Sequence, residues 1–110
     1  MSNPLPDLDG DVLVALQDLM QEDFPLLVET FIRDAEQRLQ QLQGHLCNAD
    51  WLGLRHSAHS FKGSCGNMGA LALHDVCLQL EEAAEQADAD QAAALIELIP
   101  AMLQRVISRL

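Results

Sequence analysis

The sequence predicts an all-α domain, an antiparallel four-helix bundle with a short additional helix at its amino-terminal end. Of the 110 residues 49% are hydrophobic, only 4% are aromatic, and tyrosine is absent. Leu, Ala, Gln and Glu dominate the chain, and all four favour helices. Apolar residues recur at spacings of three and four, and the segments that carry this pattern are separated by short connections. The length suits one domain over residues 1–110, in which residues 1–6 are expected to form a flexible tail.

The first two helices are predicted from their apolar stripes and their end signals. The first runs from Leu8 to Met20. Its stripe consists of Leu8, Val12, Leu16 and Leu19. Asp23 is expected to cap the second helix, and Pro25 lies in its first turn, where a missing N–H does no harm. Gly44 is predicted to end the second helix.

The third helix is predicted to begin after Asp50, its expected cap, and to end at Asn67 and Gly69. Its buried seam is Trp51, Leu54, Ala58, Phe61 and Cys65. The fourth helix is predicted over about residues 70–87. Asp90 is expected to cap the fifth helix, and Pro100 predicts a kink or a short break inside it.

Charge and composition exclude several classes of function. The formal net charge of −11 would repel nucleic acid and anionic membrane surfaces, so neither is an expected partner. The start of the chain lacks the pattern of a signal peptide, and no stretch approaches a membrane span. Three cysteines without CxxC spacing fit buried thiols in a reducing cytoplasm. We therefore expect a cytoplasmic monomer that forms an independent protein.

The third helix departs from a purely structural pattern at two glycines. Gly63 and Gly66 each cost roughly 0.5–1 kcal/mol relative to alanine inside a helix, so a compensating reason is needed. At about 100° per residue, His59, Lys62 and Gly66 fall on one flank of the buried seam, and Gly63 lies further round. A histidine at the edge of the bundle, a nearby cation and bare backbone indicate a phosphoryl-accepting site. The variant Gly63→Gln is expected to fold with some loss of stability, and its glutamine side chain is expected to block the approach of a partner.

Residues 58–70, AHSFKGSCGNMGA, together with the following LQLEEAA, closely resemble the histidine-containing phosphotransfer (HPt) family, and in particular its small stand-alone bacterial members. The family pattern is a His followed by Lys-Gly-Ser at the third to fifth positions and Gly-Ala at the tenth and eleventh. His59, the segment 62–64 and the pair 69–70 match it in full. The helix layout extends the resemblance over nearly the whole chain.

The resemblance implies a role for each site residue. His59 would be the phosphorylated residue, Lys62 its electrostatic support, and Gly63 the clearance for a receiver domain. Glu81 falls at the position where family members often place a Gln or Glu against the histidine. Residues 59 and 81 are equally far along the sequence from a turn centred near Ala70, so an antiparallel hairpin would place them side by side. Glu81 accepting from Nδ1–H would leave Nε2 as the nucleophile.

Further implications concern partners and cofactors. Gly66 and His56 are expected to line the partner-binding surface. Some members carry a basic residue one turn after the position of Glu81, but this chain has Glu85, which puts an extra phosphate clamp there in doubt. The implied function is a multistep phosphorelay in which His59 receives a phosphoryl group from the receiver domain of a hybrid sensor kinase. It then passes the group to a response-regulator receiver.

The chain has no nucleotide-binding loop, so we expect a phosphoryl carrier rather than an enzyme, with no cofactor of its own and Mg²⁺ in the partner receiver. Two alternatives remain open. One is a metal- or haem-binding bundle that uses His56 and His59 with Glu81 or Cys65, although no second matching pair is present. The other is an interaction module whose His59 is never modified.

Overall fold

The computed structural model describes residues 5–110, and over these residues the chain is helical with short connections. The elements are α1 Gly10–Met20, a 3₁₀ turn Gln21–Asp23, α2 Phe24–Cys47, α3 Trp51–Asn67, α4 Leu71–Glu85 and α5 Ala89–Arg109. Helices α2 to α5 form a ring, because α3 packs on α2 and α4, and α5 closes the ring on α4 and α2. The connections 48–50, 68–70 and 86–88 are short enough to make sequential helices antiparallel. The predicted all-α bundle is confirmed.

The core of the ring determines how α3 presents its other faces. Leu54, Ala58, Phe61 and Cys65, four residues of the predicted seam, are fully buried. Trp51 is partly buried and packs against the same core. Because this seam faces inward, the flank that carries His59 lies at the surface next to α4.

Helix α1 begins at Gly10 rather than Leu8, because the Asp9 side chain caps it by accepting the N–H of Asp11 at 3.0 Å. Leu8 is buried, as expected, but it precedes the helix. Leu19 is 78% exposed, so its assignment to the apolar stripe is wrong. Among the helices, α1 contacts chiefly α2, and one-sided packing leaves much of its surface in solvent.

The segment around α1 covers the end of the bundle at which α3 turns into α4. The Asp9 amide donates to the Gly69 carbonyl at 2.8 Å, and the Ala72 amide donates to the Pro6 carbonyl at 3.1 Å. Residues 1–4 of the predicted tail lie outside the described residues, whereas Pro6 is hydrogen-bonded to α4. The amino-terminal segment is therefore anchored to the α3–α4 turn from Pro6 onward.

Two predicted signals of α2 are wrong. In the described chain Asp23 makes no side-chain capping bond. Gly44 does not end the helix, which continues to Cys47, because the left-handed residue of the connection is Ala49, with φ of 52°. Pro25 lies in the first turn, as predicted.

The ends of α4 and α5 also differ from the prediction. The fourth helix spans Leu71–Glu85, and Ala87 turns the chain with φ of 51°. Asp88, not Asp90, caps α5 by accepting the N–H of Gln91 at 3.1 Å. Helix α5 continues through Pro100 without the predicted break, because buried Ile99 and Leu103 on either side hold its apolar face on the core.

The cysteines are divided between core and surface. Cys65 and Cys77 are buried, as predicted, but Cys47 is exposed at the end of α2, which corrects that part of the prediction. None of the helices in residues 5–110 has both the length and the apolar character that crossing a bilayer requires.

Candidate functional site

His59 lies in the middle of α3 with its side chain 69% exposed. The neighbouring Ala58 is fully buried, so the helix is fixed against the core directly beneath the imidazole. On the side facing α4, Nδ1 of His59 lies 3.3 Å from Oε2 of Glu81. When Nδ1 carries the proton, it donates to this carboxylate, and the lone pair of Nε2 faces solvent. The geometry is that of an oriented, accessible nitrogen nucleophile.

Glu81 contacts the lysine of the site as well as the histidine. Its Oε1 lies 2.6 Å from Nζ of Lys62, and both side chains are largely buried, at 15% and 21% exposure. Burial raises the pKa of Glu81, but hydrogen bonds from Lys62 and His59 outweigh it and hold the pKa below its usual value. Glu81 is therefore an ionised carboxylate that bridges Lys62 and His59.

The two glycines of α3 differ in their surroundings. A Cβ built on Gly63 meets no described atom within 4 Å, so the surface one turn after His59 is open. A Cβ on Gly66 would lie 3.2 Å from Cδ2 of His74 on α4. Gly66 is exposed, yet its bare backbone also accommodates an internal neighbour, a reason for glycine that differs from the predicted partner contact.

A shallow depression of roughly 300 Å³ lies beside the histidine and is lined by Arg55, His56, His59 and Glu81. His56 is exposed there, one turn before His59, as its predicted role on a partner-binding surface requires. Arg55 was not identified from the sequence. Its Nε lies 3.4 Å from Oε1 of Glu85, so a cation from α3 faces an acidic residue of α4.

The geometry gives little support to a metal-binding bundle. Among residues 5–110 there is no group of three or more His, Cys, Asp or Glu side chains placed to hold a metal ion. Hydrogen bonding to the Cys77 thiol and burial both raise the pKa of the free Cys65 thiol, which disfavours the thiolate that a metal would require.

The bridging position of Glu81 predicts a pH-dependent contribution to stability. Since folding lowers the pKa of Glu81, its ionisation stabilises the fold at pH values above the ordinary glutamate pKa of about 4.5. This contribution is lost as the pH falls through the folded pKa. In urea unfolding, Glu81→Gln should therefore be less stable than the parent at pH 7, and the difference should shrink as the pH is lowered towards 3. Glu82→Gln, at an exposed neighbouring position, is the control. A difference that stayed constant with pH would contradict the assignment.

The chain is similar to known proteins in both sequence and fold. The sequence profile of the Hpt domain matches residues 26–109. The fold is similar to the crystal structure of histidine-containing phosphotransfer protein B (HptB) from Pseudomonas aeruginosa PAO1, with a TM-score of 0.89 and 43% sequence identity. The match covers 93% of this chain and 89% of that chain. Among curated protein sequences no match was found.

Proposed function

The chain belongs to the Hpt domain family, whose members transfer phosphoryl groups through histidine in phosphorelays, and from this premise we propose that His59 is the residue that carries the phosphoryl group. One observation carries the assignment. Nδ1 of His59 faces Glu81 at 3.3 Å, and the side chain is nevertheless 69% exposed, which leaves Nε2 free to react with an incoming partner.

The transfer step needs few groups from this chain. The Nε2 lone pair of His59 attacks the phosphorus of a receiver aspartyl phosphate, so a P–N bond forms and the P–O bond to the aspartate breaks. The aspartate leaves as a carboxylate with the bonding electron pair. The proton on Nδ1 stays in place, and Glu81 stabilises the positive charge that develops on the ring. The return step to a second aspartate reverses these events.

Hpt domains interact with receiver domains of two-component proteins. For this chain the proposed donor is the receiver of a hybrid sensor kinase, and the proposed acceptor is the receiver of a response regulator. The carrier is proposed to be a cytoplasmic monomer that is not itself an enzyme and has no cofactor. A receiver would supply Mg²⁺ and the acidic residues that hold it.

The proposal is tested by incubating the chain with a phosphorylated receiver domain and locating the phosphate that it takes up. We expect a phosphoramidate, labile in acid and stable in alkali, on the peptide that contains His59. His56→Gln removes a histidine of the expected partner-binding surface, so it should take up the label more slowly but still carry it on His59. Phosphate found on another histidine, or an acid-stable ester on a serine, would refute the assignment.

A further inference from the structure

Few cations lie near His59. The chain has six basic residues, and four of them are remote from the site by their contacts. Arg33 and Arg38 are on α2 and pair with Glu29 and Asp34 of the same helix. Arg105 and Arg109 are on α5 and line a different groove, next to the amino-terminal segment. Only Lys62 and Arg55 share α3 with the histidine.

These two cations differ in how free they are to move. Lys62 is largely buried and held by Glu81 at 2.6 Å. Arg55 is 51% exposed, and its partner Glu85 is 53% exposed, at a longer separation of 3.4 Å. Because water screens an exposed pair of this kind, the Arg55–Glu85 contact is weak. The Arg55 side chain can therefore leave Glu85 and bind a more highly charged anion with little loss of interaction energy.

The position of Arg55 on α3 brings it within reach of Nε2. Residues four apart on a helix are neighbours on its surface. Helical side chains also lean towards the amino-terminal end, so the imidazole of His59 leans over the turn that carries Arg55. The depression lined by Arg55, His56, His59 and Glu81 shows the two side chains facing one space.

We propose that Arg55 binds the phosphoryl group on His59, turning from Glu85 to donate hydrogen bonds to the phosphoryl oxygens. A phosphoryl group adds about two negative charges beside Glu81 and Glu85. A guanidinium has the planar pair of donors that matches two of its oxygens. Arg55 loses no proton, and the bonds formed and broken are those of the transfer step. This inference rests on the proposed function, to which it adds a phosphate-binding residue.

The role of Glu85 follows from the same geometry. In the unphosphorylated chain it holds Arg55 beside the depression, and in the phosphorylated chain it competes with the phosphoryl group for the guanidinium. Removing the charge of Arg55 should therefore weaken phosphate retention, whereas removing the charge of Glu85 should strengthen it. A merely structural ion pair would give the same sign for both changes.

The experiment measures the equilibrium ratio of phosphorylated carrier to phosphorylated receiver after mixing with a receiver domain. Arg55→Gln should lower the ratio about tenfold, the effect of losing charge-assisted hydrogen bonds. Glu85→Gln should raise it about twofold or more, and Arg55→Lys should lie between parent and Arg55→Gln. The matched controls are Arg33→Gln and Glu29→Gln, an exposed pair on α2 whose substitutions change the net charge equally. Both controls should leave the ratio unchanged.

Two outcomes would overturn the inference while leaving the proposed function intact. One is an Arg55→Gln ratio equal to that of Arg33→Gln. The other is a shift of the same sign for Arg55→Gln and Glu85→Gln. A parent chain that takes up no phosphoryl group would instead overturn the proposed function. Circular dichroism of each variant establishes that it is folded, as expected for exposed positions.

Discussion

His59→Gln should abolish phosphoryl uptake from a phosphorylated receiver domain while leaving the fold intact. A glutamine amide nitrogen has no available lone pair, so no P–N bond can form at this position. Because the His59 side chain is 69% exposed, the free energy of unfolding should change by only about 0.5 kcal/mol. The measurement is radiolabel transfer over time, alongside urea unfolding of both chains.

The sharpest control for this prediction is a second histidine with a similar partner. Nδ1 of His45 lies 3.1 Å from Oδ2 of Asp50, which is the same type of contact as in the site. The His45 side chain, however, is only 29% exposed. His45→Gln should therefore label at the parent rate. Residual labelling of His59→Gln that disappeared in the double variant would show that a histidine–carboxylate pair suffices without the surroundings of His59.

Gly63→Gln should slow phosphoryl transfer by roughly a hundredfold, the scale on which misplaced reacting groups reduce rates. The side chain would project over the open surface one turn after His59, where a receiver must approach. The stability of the chain should move the other way. Since a Cβ at Gly63 meets no described atom within 4 Å, glutamine should raise the free energy of unfolding by roughly 0.5 kcal/mol through its better helix propensity. The free space thus reverses the sign of the stability change expected from the sequence.

Gly44→Gln supplies the matched control for Gly63→Gln. Gly44 is also an exposed glycine inside a helix, and a Cβ there likewise meets no described atom within 4 Å. It should gain similar stability and transfer at the parent rate. Equal transfer by the two variants would show that Gly63 does not provide clearance. Slow transfer by both would point to a general effect of α-helix stiffness.

The sequence was sufficient to predict the fold because the apolar spacing is regular and the connections are short. It was less reliable at helix ends, where several residues compete for one role. Asp88 and Asp90 both precede a helical pattern, and only the backbone course of the connection decides that Asp88 is the cap. Gly44 remains helical because the connection uses Ala49 for its left-handed residue. Pro100 is tolerated because tertiary packing outweighs a local preference.

The arrangement of the site follows from one register relation between α3 and α4, which is present in the sequence. Residues 59 and 81 are equally distant from Ala70, and the predicted contact between His59 and Glu81 is present. The same relation joins Arg55 to Glu85 and Gly66 to His74, contacts that were not predicted. The bridge from Lys62 to Glu81 depends on side-chain conformation and could not be read from spacing.

Gly69, with φ of 73°, fixes the length of the turn on which that register depends. One inserted residue before Leu71 would rotate α4 by about 100° relative to α3 and shift it by about 1.5 Å. Every pairing across the hairpin would then be lost together, even with each side chain retained. Gly69 is also packed against Val12, so contact with the amino-terminal segment further restricts the conformation of this turn. The site should consequently tolerate insertions and deletions in the connections 48–50 and 86–88. The α3–α4 turn, by contrast, must keep its length, because that length determines which residues of α3 and α4 face each other in the site.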